Sequence, residues 1–161
     1  MRPRRSGVVI VMSDRTPQWQ PARHIETATV LIDSRDSISG DQLLDAVKQL
    51  RSEYSGKRVL VVSGGVSLRP EDDYDGLGPL AAAMIRLRVD QWLGVGLSTK
   101  ALSTQVGLEG SWDGESLWLE SPADAYDYLR GWPNGDDLIA IIGVHDPAIA
   151  SLVELIEANP T

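Results

Sequence analysis

Short runs of apolar residues alternate along this chain with stretches whose apolar positions recur every three or four residues. The clearest run is Val59-Leu60-Val61-Val62, which lies between Lys57-Arg58 and Ser63-Gly64-Gly65. A continuous apolar run of this length is typical of a strand covered on both faces of a sheet. Similar runs elsewhere predict further strands, so that we expect strands near residues 29–33, 58–62, 91–95, 116–119 and 138–142.

The stretches between these runs predict amphipathic helices. One begins after Ser39, which is followed three residues later by Gln42 in the form of a capping box. Another begins at Ser121-Pro122, an N-cap residue with proline at the first helical position. The alternation of strands and helices predicts an α/β fold, a three-layer Rossmann-like domain with a mostly parallel sheet of about five or six strands.

The first 28 residues have a weaker pattern. Residues 8–12 form a short apolar run, and the segment from Ser13 to Arg23 is polar and contains two prolines, which predicts a loop. We therefore divide the chain into an N-terminal extension of one strand and one loop, residues 1–28, and an α/β domain, residues 29–161.

The composition narrows the possible partners. The net charge of −8 disfavours nucleic acid and anionic membranes, which need a positively charged surface. The absence of cysteine excludes disulfides and thiolate metal sites and fits a reducing compartment. No apolar stretch approaches the roughly 20 residues of a membrane span, and the run near the basic N-terminus is too short for a signal peptide. We expect a cytoplasmic protein that binds neither nucleic acid nor membrane.

Ligands of parallel sheets bind at the carboxyl ends of the strands. We therefore expect the loops Asp33–Asp36, Ser63–Ser67 and Gly143–Asp146 to converge on one edge. Their ligand-facing residues would be Asp33, Arg35, Asp36, Gly64, Gly65, Gly143 and His145.

Each residue type has its own use at such an edge. The paired glycines allow a close approach of backbone to ligand, because they lack Cβ. Arg35 and His145 either meet an anion or are solvated loop residues. The neighbouring aspartates favour a zwitterion, an amine or a protein surface over a triphosphate.

No known catalytic motif is complete in the sequence. Gly94-Val95-Gly96 lacks the third glycine of a dinucleotide-binding loop, and no Gly-Lys-Ser or Gly-Lys-Thr occurs. The only histidines are His24 and His145, and there is no nucleophile elbow. Glu71-Asp72-Asp73 has the carboxylates of a metal site, but acidic residues also favour the first turn of a helix, which is our preferred interpretation. We predict no catalytic residue and no metal site.

The order of elements nevertheless resembles a known family. The features that carry the likeness extend from about residue 29 to residue 158: Asp33 after the first strand, Gly64 after the second, Val95-Gly96 before Lys100-Ala101-Leu102, and Gly143 after the last strand. Together they resemble the C-terminal domain of the Mur ligases, ATP-dependent amide-bond enzymes of peptidoglycan synthesis. The likeness is greatest to the subgroup of UDP-N-acetylmuramoyl-tripeptide–D-alanyl-D-alanine ligases.

The first functional motif of that subgroup is only partly kept. Its first strand is followed by a loop of the type Asp-x-Tyr-Asn-x-Asn-Pro. Here Asp33 matches the aspartate, whereas Arg35, Asp36, Ile38 and Ser39 stand in place of the tyrosine, the two asparagines and the proline.

The other two motifs keep little more than a glycine each. Ser63-Gly64-Gly65-Val66 stands where the family has Leu-Gly-Asp-Met. Ile141-Ile142-Gly143-Val144-His145 stands where it has Val-Lys-Gly-Ser-Arg, so that the lysine, serine and arginine are lost. The retained positions are those that a fold needs, and the lost ones are those that the family uses to meet nucleotide and amino acid.

The resemblance implies a function only together with a second domain. In the family, the C-terminal domain swings onto a central domain that carries the phosphate-binding loop, and it closes over ATP and the incoming amino acid. The isolated chain is then not catalytic and needs no cofactor, whereas the full-length ligases use ATP and Mg²⁺. Its partner would be a Mur-ligase central domain.

Two alternatives remain. One is a divergent standalone domain that binds a protein partner or acts as a scaffold without catalysis. The other is a receiver domain like those of response regulators. It would need an acidic pair after the first strand and a lysine where Ile142 stands, and is the weakest interpretation.

Overall fold

The computed structural model describes residues 16–35, 38–65, 73–108 and 114–159. Its strands are β1 (Arg23–Ile25), β2 (Ala28–Ile32), β3 (Val59–Ser63), β4 (Gln91–Val95), β5 (Glu115–Leu119) and β6 (Leu138–Ile142). Its helices are α1 (Gly40–Glu53), α2 (Asp73–Arg86), α3 (Lys100–Leu108), α4 (Pro122–Gly131) and α5 (Pro147–Ala158), and a 3₁₀ turn (Leu97–Thr99) precedes α3. The five predicted strands β2 to β6 are confirmed to within one residue at each end.

The strands form one six-stranded sheet in the order β1-β2-β6-β3-β4-β5. All neighbouring pairs are parallel except β1 with β2, which is antiparallel. The middle of the sheet is formed by β3, in which Val61 pairs with Ala140 of β6 on one side and with Trp92 of β4 on the other. The predicted α/β fold with a mostly parallel sheet is confirmed.

The edge strand β1 was not predicted. It lies in the segment assigned to the N-terminal extension and includes Arg23, which the sequence placed in a loop. Glu26 follows it with a positive φ of 53° and begins the tight turn that sets Ile25 against Ala28. The strand predicted over residues 8–12 lies outside the described residues.

Helices cover both faces of the sheet. On one face, α1, α2 and α3 pack over an apolar cluster that includes Val59 and Val61 of β3. On the other face, α4 and α5 pack over a second cluster that includes Leu60 and Val62 of the same strand. Alternate side chains of a strand point to opposite faces. Burial of the whole of β3 therefore follows from its position between two helical layers.

The predicted helix starts are confirmed where they are described. The amide of Gln42 donates to Ser39 Oγ at 3.2 Å, and the amide of Ser39 donates to Gln42 Oε1 at 2.8 Å, which completes the capping box. Ser121 caps α4, and Pro122 is its first residue. In the acidic cluster, Glu71 and Asp72 lie outside the described residues, so that neither interpretation of it is tested.

The connections diverge on either side of β6. The helices that follow β2 and β3 pack on one face of the sheet, and α5, which follows β6, packs on the other. Such divergence opens a crevice at the carboxyl ends of neighbouring strands, where ligands of open α/β sheets bind. Within the described segments, no helix combines the length and the apolar character that crossing a bilayer requires.

Candidate functional site

A single carboxylate joins the loops at the carboxyl edge of the sheet. Asp146 Oδ2 accepts hydrogen bonds from the amide of Gly65 at 2.9 Å and from the hydroxyl of Ser98 at 2.5 Å. Asp146 Oδ1 accepts from the amide of Ala148 at 2.9 Å, which makes the residue the N-cap of α5. The ends of β3, β4 and β6 are therefore held together by one side chain.

The glycines after β3 and β6 allow their two backbones to touch. The amide of Gly64 donates to the carbonyl of Ile142 at 3.3 Å. Gly143 has a positive φ of 102°, and a Cβ on it would lie 3.3 Å from the nitrogen of Gly64. A Cβ on Gly64 would lie only 2.6 Å from Cβ of Asp146. Both glycines are needed for contact between loops, whatever else they do.

Gly65 and His145 lie side by side at the rim of this arrangement. His145 Nε2 is 3.0 Å from the carbonyl oxygen of Gly65, and its ring is exposed. A Cβ on Gly65 would lie 3.0 Å from Oγ of Ser98 and 3.3 Å from Oδ2 of Asp146. The space beside Gly65 is thus already taken by two neighbouring side chains.

Asp33 and Arg35 form a buried ion pair at the end of β2. Their residues are 0% and 7% exposed, and Arg35 Nη2 and Nε lie 2.6 Å and 2.9 Å from Asp33 Oδ2. The amide of Gln18 donates to Asp33 Oδ1 at 3.1 Å. The interpretation of Arg35 as a solvated loop residue is therefore wrong. Its charge is neutralised within its own loop.

The predicted site residues thus fall into two groups. Gly64, Gly65, Gly143 and His145 lie together around Asp146. Asp33 and Arg35 lie at the same edge, since the amide of Asp33 donates to the carbonyl of Ile141 at 2.9 Å, but they pair with each other. Asp36 lies outside the described residues. The loops after β3 and β6 therefore meet, whereas the loop after β2 only begins at the same edge, and the assignment of these residues to a ligand stays a prediction.

Sequence reasoning missed the contribution of the loop after β4. Gly96 has a φ of 90° and accepts a hydrogen bond from Trp118 Nε1 at 2.8 Å, and Lys100 Nζ lies 5.0 Å from the Trp118 ring centroid. Leu97, which precedes Ser98, is 68% exposed. Ligands bind at the carboxyl ends of parallel strands, and this rule applies to the end of β4 as it does to the other strands. The sequence analysis considered Gly94-Val95-Gly96 only as a possible nucleotide-binding loop.

The described residues of this edge do not form a cation site. Among the residues that the structure describes, no group of three or more histidine, aspartate or glutamate side chains is arranged to hold a metal ion. The Asp146 carboxylate is engaged with three donors of the protein itself. Its role within the described structure is to hold the loops.

The environment of Asp146 makes the fold sensitive to acid. Burial raises the pKa of Asp146, but hydrogen bonds from Ser98, Gly65 and Ala148, together with the charge of His145, outweigh it and hold the pKa below the ordinary 3.8. The pKa of Asp146 is lower in the folded than in the unfolded chain. The ionised carboxylate therefore stabilises the fold at pH values above the pKa of the unfolded chain, and this stabilisation is lost as the pH falls through the pKa of the folded chain.

We expect Asp146→Ser to flatten part of the acid limb of the stability curve. Serine keeps the N-cap of α5 but has no carboxylate to titrate. Urea denaturation from pH 7 to pH 2 should show the wild type losing more stability below about pH 4 than the variant. Asp137, whose pKa is also lowered, mainly by a hydrogen bond from Arg58, is unchanged in both proteins and contributes equally to the two curves. Parallel curves for the two proteins would contradict the assignment to Asp146.

Comparison with known proteins shows likeness in structure only. No protein-family model and no curated protein matches the sequence. The MurF ligase of Thermotoga maritima, solved with ADP, is similar over 85% of this chain and 30% of its own, with a TM-score of 0.62 and 14% identity.

Two further ligases are similar in the same way. The UDP-N-acetylmuramoylalanyl-D-glutamyl-2,6-diaminopimelate–D-alanyl-D-alanyl ligase of Acinetobacter baumannii matches 86% of this chain and 28% of its own, with a TM-score of 0.59 and 14% identity. The UDP-N-acetylmuramate-alanine ligase MurC of Thermotoga maritima matches 84% of this chain and 28% of its own, with a TM-score of 0.55 and 14% identity. The fold is that of a Mur-ligase C-terminal domain, and the chain spans less than a third of the length of these ligases.

Proposed function

We propose that this chain acts as the C-terminal-type domain of a Mur-like ligase in the cytoplasm and is not catalytic by itself. The observation that carries the proposal is the convergence of the loops after β3, β4 and β6 on Asp146. In an assembly with an ATP-binding central domain, this edge would close over the nucleotide and the incoming amino acid. The proposed reaction is ATP-dependent amide-bond formation on a peptidoglycan precursor. It is supported by the names of two similar proteins, which are ligases of D-alanyl-D-alanine or alanine with a UDP-N-acetylmuramoyl compound.

The described edge does not fit Mg-ATP on its own. A phosphate is usually held by free backbone amides and a lysine or arginine. The amides of Gly64 and Gly65 already donate to Ile142 and Asp146. Arg35 donates from Nε and Nη2 to Asp33, and its remaining Nη1 is buried without a partner. The nucleotide would therefore have to be bound mainly by the partner domain.

We expect no heat of binding when Mg-ATP is titrated into the isolated chain. The physical reason is the engagement of the loop amides just described, together with the pairing of Arg35 with Asp33. Isothermal titration calorimetry measures it directly, with the Thermotoga maritima MurF ligase as a positive control. A micromolar dissociation constant, equivalent to about −8 kcal/mol, would contradict the proposal.

A chimera tests the positive part of the proposal. The chain would replace the matching 30% of the Thermotoga maritima MurF ligase, and ADP release would be measured with and without the amino-acid substrate. We expect substrate-dependent ADP release above that of the same ligase with this part deleted. A folded chimera no more active than the deletion variant would contradict a ligase role.

A folded but inactive chimera would favour a non-catalytic domain that binds a protein partner. One observation supports this alternative. Leu97 is 68% exposed at the same edge, whereas the cationic group of Arg35 is buried. In the described part of this edge an exposed leucine is available to contact an apolar group of a protein partner, and exposed Lys100 lies three residues after it.

A further inference from the structure

A small cavity lies between the sheet and helix α3. Its lining combines hydroxyl groups with apolar side chains: Ser63, Met84, Trp92, Gly94, Thr99, Leu102, Ser103, Val106 and Ser116. The cavity leaves about 10 Å³ for the centre of a water molecule. A polar cavity needs room for about one water-sized sphere to hold a water. The space is therefore large enough for an ordered water molecule.

One wall of the cavity carries an unsatisfied donor. Trp92 is 3% exposed, and its indole Nε1 is fully buried without a hydrogen-bond partner. A buried donor left without an acceptor is costly, so that such groups are normally paired with protein or with an ordered water. The indole nitrogen is a donor only, and what it lacks is an acceptor.

Two of the hydroxyl groups that line the cavity have used their protons and still have oxygen lone pairs that can accept a hydrogen bond. Thr99 Oγ1 donates to the carbonyl of Gly96, and Ser116 Oγ donates to the carbonyl of Ser103, both at 2.9 Å. A hydroxyl has one proton and two lone pairs, so that these groups are left with acceptor capacity. A molecule that accepts from an N–H group and donates to hydroxyl oxygens satisfies both walls at once, and water does this.

We infer that this cavity is a binding site for one structural water, which accepts a hydrogen bond from Trp92 Nε1 and donates to the hydroxyls facing it. The site lies directly beneath the carboxyl edge, because Ser63 precedes Gly64 and Thr99 follows Ser98. The water would connect β4 with α3 and β5 at the point where the loops converge. The inference does not depend on the proposed ligase function.

A crystal structure that resolves ordered waters tests the site. We expect a density peak about 3 Å from Trp92 Nε1 and within hydrogen-bond distance of at least one hydroxyl. Empty density, or a direct hydrogen bond between Nε1 and a hydroxyl, would overturn the inference.

Thermal melting of Val106→Ile gives an independent test in solution. The added methylene enters the cavity and displaces the water, so that Trp92 Nε1 loses its acceptor and the melting temperature falls. A higher melting temperature would mean that a dry space has been filled and would overturn the inference. If the variant does not fold, the wild-type density alone decides.

Discussion

Replacing Gly64 by alanine is expected to lower the free energy of unfolding by about 3–5 kcal/mol, which is among the largest effects of a single methyl group. A Cβ at this position would lie 2.6 Å from Cβ of Asp146 and 2.8 Å from Cγ1 of Ile149. Cβ of Asp146 can move only with its backbone, and Ile149 is 0% exposed, so that its side chain has little room to turn away. The methyl group would force the loop after β3 away from α5.

Urea denaturation of Gly64→Ala measures this loss. Gly131→Ala is the matched control, because a Cβ there has nothing within 4 Å and the residue ends a helix. The control should be neutral or more stable by up to about 1 kcal/mol. Gly65→Ala should fall between the two, since its contact at 3.0 Å is with the small side chain of Ser98. A Gly64→Ala protein as stable as the wild type would refute the close contact of the loops.

Removal of the guanidinium in Arg35→Ala is expected to cost about 3–5 kcal/mol, because it leaves a buried carboxylate without its counter-charge. Asp33 is 0% exposed and also accepts from two backbone amides, so that it cannot turn towards solvent without breaking both bonds. The double variant Asp33→Asn/Arg35→Ala keeps an oxygen for these amides and removes the charge. It should recover at least about 1 kcal/mol of the loss.

Arg23→Ala is the control for an exposed pair of the same chemistry. Arg23 Nη2 lies 2.7 Å from Glu157 Oε2, but the two side chains are 37% and 44% exposed. Ion pairs in solvent contribute about 0–1 kcal/mol to the free energy of unfolding, so that Arg23→Ala should reduce it only slightly. Equal losses for Arg23→Ala and Arg35→Ala would show that the burial of Arg35 has no energetic consequence.

The sequence alone was enough to predict the positions of most strands of the sheet. β6 was predicted to the residue because its apolar run lies between Asp137 and Gly143. β4 was predicted with the same bounds that it has in the structure, although it begins with Gln91 and contains Gly94. β1 was missed since three residues that include Arg23 and His24 have no apolar pattern. That strand forms through its pairing with β2, and pairing partners are not visible in a local window.

The meeting of the loops after β3 and β6 was predictable from sequence, but the contacts between them were not. The carboxyl-end rule placed Gly65 and His145 together, as found. The link from Asp146 to Gly65 and Ser98 joins residues 81 and 48 positions apart, and no local pattern encodes it. The burial of Arg35 depends on Asp33 being covered at its carboxylate by the chain at Gln18, which is equally non-local.

The place of β6 between β2 and β3 also bears on how the chain folds. β2 and β3 follow each other in the parallel part of the sheet, separated by α1 alone, yet each pairs with β6 and not with the other. Val59 of β3 can pair with Leu138 only after β6 has been brought to its place in the sheet. Contacts between residues so distant along the chain cost loop-closure entropy before they are formed, and they slow folding. During synthesis on the ribosome, β2 and β3 would have to remain apart, with open edges, until the strand that joins them emerges.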